Sequence, residues 1–158
     1  MNLDLWLDPA RVFAIGNGLA PLGWLLLVAS PYRASWSRWA RLVSGRVLPL
    51  LLAVAYVALF LHNGMGDGGY GSLDEVRRLL AQPALLTAGW LHYLAFDLFV
   101  GSWIAERGGA MGLPHWLIVP LLLLSFLFGP AGLLAFALLR GGWLRWRGAA
   151  AGSLATEG

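Results

Sequence analysis

The sequence predicts an all-α integral membrane protein, a bundle of four membrane-spanning helices. Of its 158 residues, 59% are hydrophobic and only 12% are charged, and the mean hydropathy is +0.69. A soluble domain carries about 25% charged residues. The excess of apolar residues falls into four segments, at residues 12–30, 42–62, 84–106 and 115–140. Each segment has about the length of 20 residues that a helix needs to cross a bilayer.

The four segments predict a single transmembrane domain over residues 1–147, followed by a disordered tail at residues 148–158. The tail is rich in Ala and Gly, and such chain ends are commonly disordered. The N-terminal residues MNLDLWLDPAR are acidic and have no basic region. A cleavable signal peptide is therefore not expected, and the first segment should remain as a span.

Two missing residue types exclude several kinds of chemistry. The chain has no cysteine, so it has no disulfide, iron–sulfur cluster or catalytic thiol. It also has no lysine, because all eleven basic residues are arginine. A retinal protein that holds its pigment through a lysine Schiff base is thereby excluded. The arginines flank the apolar segments, which is typical of membrane proteins and gives no reason to expect nucleic-acid binding.

Asp97 is the most informative polar residue, because it lies in the middle of the third apolar segment. A charged side chain at the centre of a spanning helix costs about 2.5–3.5 kcal/mol, so it needs a partner or a role. Tyr93 precedes Asp97 by four residues and His92 by five. On a helix Tyr93 and Asp97 share one stripe, whereas His92 lies about 140° around the axis.

Helix-breaking residues occur at a similar predicted depth. Pro21 in the first span frees the carbonyl group of Asn17, and Gly129-Pro130 interrupts the fourth span. Breaks of this kind open cavities in membrane proteins. We therefore expect a cavity beside Asp97, open toward the face that carries both chain ends. The alternative is a purely structural role, in which the Asp97 carboxylate accepts a hydrogen bond from Asn17 or from a tryptophan indole N–H.

The histidines do not predict a metal site or a bound cofactor. A catalytic zinc ion needs three His or Glu ligands at one depth, whereas His62 and His115 fall at opposite ends of the bundle. Haem held by two histidines is a weak alternative, because His62 and His92 share one half of the bundle but differ in depth by about 10 Å.

Several motifs resemble the abscisic-acid-deficient-4-like family. They are WLHYLAFDLFVG, GLPH and FLFGPAGLL, all within Gly89–Arg140, preceded by Asn17, Pro21, Trp24 and Pro31. Plant members of that family are linked to neoxanthin formation in plastids, and bacterial members are mostly known as a domain of unknown function. The resemblance implies a bacterial-type member, a multi-pass protein of the inner (cytoplasmic) membrane.

The resemblance also implies a ligand and a chemistry. The ligand would be a carotenoid-like polyisoprenoid, changed by cis–trans isomerisation or epoxide opening as in a neoxanthin synthase-like enzyme. Asp97 would act as the acid or base, with Tyr93 and His92 as its partners. The candidate substrate-binding residues are Asn17, Trp90, Phe96, Trp103, Phe126, Gly129 and Pro130.

Two other functions remain open at this point. One is a non-catalytic pigment-binding or assembly subunit of a membrane complex, and the weaker one is a haem-binding membrane protein. The expected partners are the lipid bilayer, the pigment, and a second copy of the chain or a membrane complex.

Overall fold

The structure, a computed structural model, describes the backbone of residues 6–156 and the side chains of residues 6–146. Its described part is helical, without strands. The elements in chain order are α1 (Pro9–Ala29), α2 (Ser37–Leu42), a π-helical segment (Val43–Val47), α3 (Leu48–Asn63), α4 (Leu73–Leu80), α5 (Pro83–Ala110), α6 (His115–Phe128) and α7 (Pro130–Thr156). Side chains of the predicted tail, residues 148–158, lie outside the described part.

Three helical stretches are long and apolar enough to cross a membrane. They are α1, the continuous stretch Ser37–Asn63 that joins α2 to α3 through the π-helical segment, and α5. They coincide with the first three predicted spans. Asp8 caps the first of them, since its carboxylate accepts a hydrogen bond from the backbone N–H of Arg11 at 2.9 Å. The protein is therefore an all-helical membrane protein.

The predicted fourth span, over residues 115–140 with a break at Gly129-Pro130, is not a single spanning helix. Helix α6 ends at Phe128, Gly129 takes a backbone φ of +48°, and Pro130 begins α7. Glycine adopts a positive φ without steric cost, and proline at a helix start loses no hydrogen bond. The Gly-Pro pair therefore ends one helix and starts another.

The chain reverses direction at this break. Gly132 packs directly against Ser125, three residues before the end of α6. Farther along α7, the buried ring of Phe136 packs edge-on against Trp103 of α5, with ring centroids 5.3 Å apart. Trp103 lies closer than Asp97 to Ala110, the last residue of α5, so α7 runs back toward that end. Helices α6 and α7 form a helical hairpin, and the four-span bundle is corrected to three long helices plus this hairpin.

Helix α5 is the centre of the molecule and packs against α1, α3 and the hairpin. Helices α5 and α1 approach each other closely because leucine side chains of α5 pack against two glycines of α1. Gly16 contacts Leu91, and Gly23 contacts Leu98. Small residues permit such close approach of two membrane helices. The residue numbers of the contacts increase together along the two helices, so α1 and α5 run parallel.

The short helix α4 begins at the predicted cap. The hydroxyl group of Ser72 accepts a hydrogen bond from the backbone N–H of Glu75 at 3.2 Å. Leu79 is buried, whereas Asp74 and Arg77 on the other side are exposed and form an ion pair at 3.7 Å. Helix α4 is therefore amphipathic and covers the end of the bundle where α3 finishes and α5 begins.

Candidate functional site

Asp97 lies halfway along α5, opposite the tip of the hairpin. A Cβ atom added to Gly129 would be 3.0 Å from Oδ1 of Asp97 and 3.3 Å from Oδ2. The carboxyl group is half-buried, and its Oδ2 atom is enclosed without a hydrogen-bond partner in the described part of the chain. Helix α7 starts one residue after Gly129, so the carboxyl group lies near the positive end of that helix dipole.

Tyr93 is a polar neighbour of Asp97. It lies one turn earlier on α5, and its side chain interacts with the Asp97 carboxyl group. The Tyr93 ring also packs against the indole of Trp90, with ring centroids 5.4 Å apart. The structure thus brings together the two residues that the helical stripe placed on one face.

Asn17 pairs with Trp90 of α5. The indole N–H of Trp90 donates a hydrogen bond to Oδ1 of Asn17 at 3.2 Å. Phe13 joins this contact, with its ring centroid 6.0 Å from that of Trp90. The sequence analysis missed Phe13, although it lies four residues before Asn17 and therefore shares its helix face.

The exposed side chains of Phe13, Asn17 and Trp90 meet between α1 and α5, and Tyr93 and Asp97 follow Trp90 along α5 toward Gly129. We name this surface between the two helices the Asp97 groove. Asn17 is exposed, and a Cβ atom added to the adjacent Gly18 would meet nothing within 4 Å. Pro130, at the hairpin tip beside Gly129, is also exposed.

The remaining candidate residues lie elsewhere. The His92 ring packs between Tyr56 of α3, at 5.8 Å between centroids, and Phe96, at 4.6 Å. This face of α5 is turned away from Asp97, as the 140° separation predicted. Trp103 packs against the hairpin, as described above.

Phe126 packs on Trp24 of α1, with ring centroids 5.6 Å apart. Trp24 in turn covers Gly101, which lies one turn beyond Asp97 toward Ala110. Phe126 therefore contributes to the packing behind the hairpin tip, and the groove lies on the other side of that tip.

The histidines are dispersed, and the described part of the chain holds no group of three or more His, Asp or Glu residues that could bind a metal ion. His115 begins α6 and its Nε2–H donates to the carbonyl oxygen of Val28 at 2.8 Å. His115 thus joins the hairpin to the end of α1. His62 lies in the last turn of α3.

The fold and the site define a class of protein, a helical membrane protein with a half-buried carboxyl group facing the tip of a helical hairpin. The chain belongs to the ABA DEFICIENT 4-like family, whose model matches residues 11–136. The matched range includes the whole Asp97 groove and the hairpin tip, and it confirms the resemblance found in the sequence. No curated protein and no solved structure matches the chain.

Proposed function

We propose that the protein takes a long apolar polyisoprenoid of the carotenoid type into the Asp97 groove and changes it by acid–base chemistry. The setting we propose is the cytoplasmic membrane of a bacterium. One observation carries the proposal: Oδ2 of Asp97 is buried without a hydrogen-bond partner among the described residues, at the end of a row of aromatic side chains on α1 and α5.

The position of Asp97 supports a chemical role. A carboxyl group held among apolar helices is costly, and such groups are mostly functional. Its partners within the protein are few, namely Tyr93 and the start of α7. Oδ2 thus has unused hydrogen-bonding capacity among the described residues, and Tyr93 is placed to hold the carboxyl group in a fixed orientation.

The walls of the groove fit a long apolar chain. The rings of Phe13, Trp90 and Tyr93 follow one another along it. Binding sites for such ligands are mostly apolar and aromatic, with a few polar groups that fix the orientation. Asn17 is one such group, because its amide remains exposed beside the Trp90 indole. Phe13, Asn17 and Trp90 are exposed, so in the proposed membrane the ligand would reach them from the bilayer.

Both suggested reactions need one proton donor and acceptor. In isomerisation, Asp97 transfers its proton to a polyene carbon, the chain rotates about the weakened bond, and the proton returns to Asp97. In epoxide opening, the proton goes to the epoxide oxygen, and the Asp97 carboxylate then removes a proton from the adjacent carbon as the new double bond forms. A single acid–base residue balances either reaction. His92 has no part in this proposal, because it faces α3.

Pigment analysis tests the acid–base role. Carotenoid-producing bacteria would express the wild-type chain, Asp97→Asn, Asp97→Ala or the control Asp74→Asn. Asp97→Asn keeps the shape of the side chain but cannot exchange the proton, and Asp74 is exposed on α4. We expect the wild type and Asp74→Asn to change the pigment profile and both Asp97 variants to leave it unchanged. Equal profiles in all four strains at equal protein levels would exclude a catalytic Asp97.

The absorption spectrum of the purified protein separates conversion from binding. A stoichiometric pigment that survives washing, without conversion of added carotenoid, would identify a non-catalytic pigment-binding subunit. In that case Trp90→Leu should lose the pigment, while Asp97→Asn should keep it. A Soret band would instead indicate haem and contradict the proposal.

A further inference from the structure

A polar cavity of about 330 Å³ lies at the Ala110 end of α5, where α2 and the π-helical segment pack against it. It is lined by three arginines, Arg38, Arg41 and Arg46, together with the Ser102 hydroxyl and the Glu106 carboxylate. Phe99 and Trp103 form its apolar side. None of these residues lines the Asp97 groove, so the cavity is a separate feature.

The cavity carries an excess of positive charge. Three guanidinium groups face one carboxylate, and neither Arg38 nor Arg46 forms an ion pair within the described part of the chain, although Glu106 lines the same space. Arg41 lies over the ring of Tyr32, with its guanidinium carbon 4.8 Å from the ring centroid. This stacking orients Arg41 without neutralising its charge.

The π-helical segment brings the arginines together. A π-turn holds more residues than an α-turn, so it changes which side chains share a face, and such turns are frequent at functional sites. The segment is fixed from both sides. The Ser44 hydroxyl donates to the carbonyl oxygen of Gly23 at 2.8 Å, and the Ser102 hydroxyl donates to that of Arg41 at 3.2 Å. Gly45 packs against Ser102 so closely that no Cβ atom would fit.

We propose that this cavity binds a phosphate group, in the first place the headgroup of an anionic phospholipid. The planar guanidinium of arginine matches phosphate oxygens and keeps its charge in apolar surroundings. The cavity volume is that of a small-molecule site. Phe99 is 54% exposed at its edge, which offers a surface for an acyl chain. Inorganic phosphate shares the headgroup chemistry, and the experiment distinguishes the two sources.

Lipid binding to the purified full-length chain tests the proposal. Dioleoyl phosphatidic acid would be titrated in detergent with excess phosphatidylcholine, and native mass spectrometry would count the bound lipid. We expect Arg38→Gln and Arg46→Gln each to weaken binding about tenfold, because each loses a charge-assisted contact. Glu106→Gln should tighten binding, because it removes the negative charge. Arg107→Gln is the matched control, since Arg107 is exposed at the same end but lies outside the cavity.

A second experiment repeats the lipid titration in the presence of millimolar inorganic phosphate. Displacement of the lipid by phosphate, with the same dependence on Arg38 and Arg46, would assign the site to free phosphate; no displacement would assign it to the lipid. Binding that is equal in all variants, or equal for phosphatidylcholine, would overturn the proposal. Unchanged thermal melting of Arg38→Gln and Arg46→Gln without lipid would show that both variants fold. This proposal is independent of the chemistry at Asp97.

Discussion

Gly129, between α6 and α7, packs against the carboxyl group of Asp97 on α5. The contact is so close that any side chain at position 129 would meet the carboxyl oxygens. The contact joins the tip of the hairpin to the middle of α5. It determines how deep the hairpin reaches and therefore where the Asp97 groove ends. The backbone reversal at Gly129 and the carboxyl group of Asp97 are therefore in direct contact, and a change at one position should affect the other.

Substitution of Gly129 by alanine should destabilise the protein. The positive φ disfavours alanine by about 1–2 kcal/mol, and the new methyl group would also press against Oδ1 of Asp97. Gly18→Ala is the control, because its methyl group would enter open space. We expect unfolding in detergent to show a loss of at least about 1 kcal/mol for Gly129→Ala and a change within about 0.5 kcal/mol for Gly18→Ala. Equal stability of the two variants would contradict the described reversal.

Gly89 and Gly101 lie four residues before Tyr93 and four residues after Asp97, on the same helix face, and should differ in their tolerance of alanine. A methyl group at Gly101 would collide with the buried Trp24 indole, whereas at Gly89 the nearest atom, on Leu80, is 3.4 Å away. Overpacking of this kind costs about 1–3 kcal/mol. We expect Gly101→Ala to lower the melting temperature clearly and Gly89→Ala to leave it nearly unchanged. A tolerated Gly101→Ala would mean that Trp24 does not pack there.

A double-mutant cycle should couple Asn17 to Trp90. Their hydrogen bond joins α1 to α5, and side-chain hydrogen bonds in membrane bundles contribute about 0.6 kcal/mol on average. Unfolding free energies of Asn17→Leu, Trp90→Phe and the double variant would measure the coupling. The corresponding cycle between Asn17 and Asp97 should give a value near zero. Stronger coupling to Asp97 would restore the sequence-based alternative in which Asn17 is the partner of the carboxyl group.

His115 should contribute to stability through its hydrogen bond. His115→Phe retains an aromatic ring but leaves the Val28 carbonyl oxygen without its donor, a loss of about 1 kcal/mol. Trp116→Phe is the neighbouring control, because Trp116 is 70% exposed. Thermal unfolding of both variants would compare them. Identical melting temperatures would show that the His115 contact contributes no stability.

Much of the architecture is predictable because helices and caps are local features. The three long helices follow from continuous apolar length, and the Ser72 cap follows from residue types three positions apart. The pairing of Tyr93 with Asp97 and the separation of His92 follow from helical geometry alone. Such features depend on few residues that are close in sequence.

The reversal at Gly129 was not predictable in the same way. Residues 115–140 are mostly apolar, and the mean hydropathy of this segment is the same whether it forms a straight helix or a hairpin. The Gly-Pro pair indicates a break, but the exit direction depends on contacts with α5, such as that between Phe136 and Trp103. The pairing of Asn17 with Trp90 likewise depends on how two helices face each other, which depth alone does not determine.

The hairpin has a consequence for the sidedness of the protein. A continuous fourth span would divide the arginines almost evenly between the two membrane faces. The reversal instead places Arg140 and Arg145 at the Ala110 end, with Arg33, Arg38, Arg41, Arg46 and Arg107, and leaves Arg11, Arg77 and Arg78 at the other end. Arginine-rich flanks stay on the cytoplasmic side.

We therefore predict that, in the proposed bacterial cytoplasmic membrane, the Ala110 end faces the cytoplasm and the Asp97 groove lies in the outer leaflet. The chain has no cysteine, so single cysteines report this orientation without background. In intact cells an impermeant maleimide should label Ser72→Cys, beside the groove end, and should label Ser35→Cys only after lysis. The reverse pattern would place the groove in the inner leaflet. With the expected pattern, a polyisoprenoid must reach the outer leaflet before it meets Asp97.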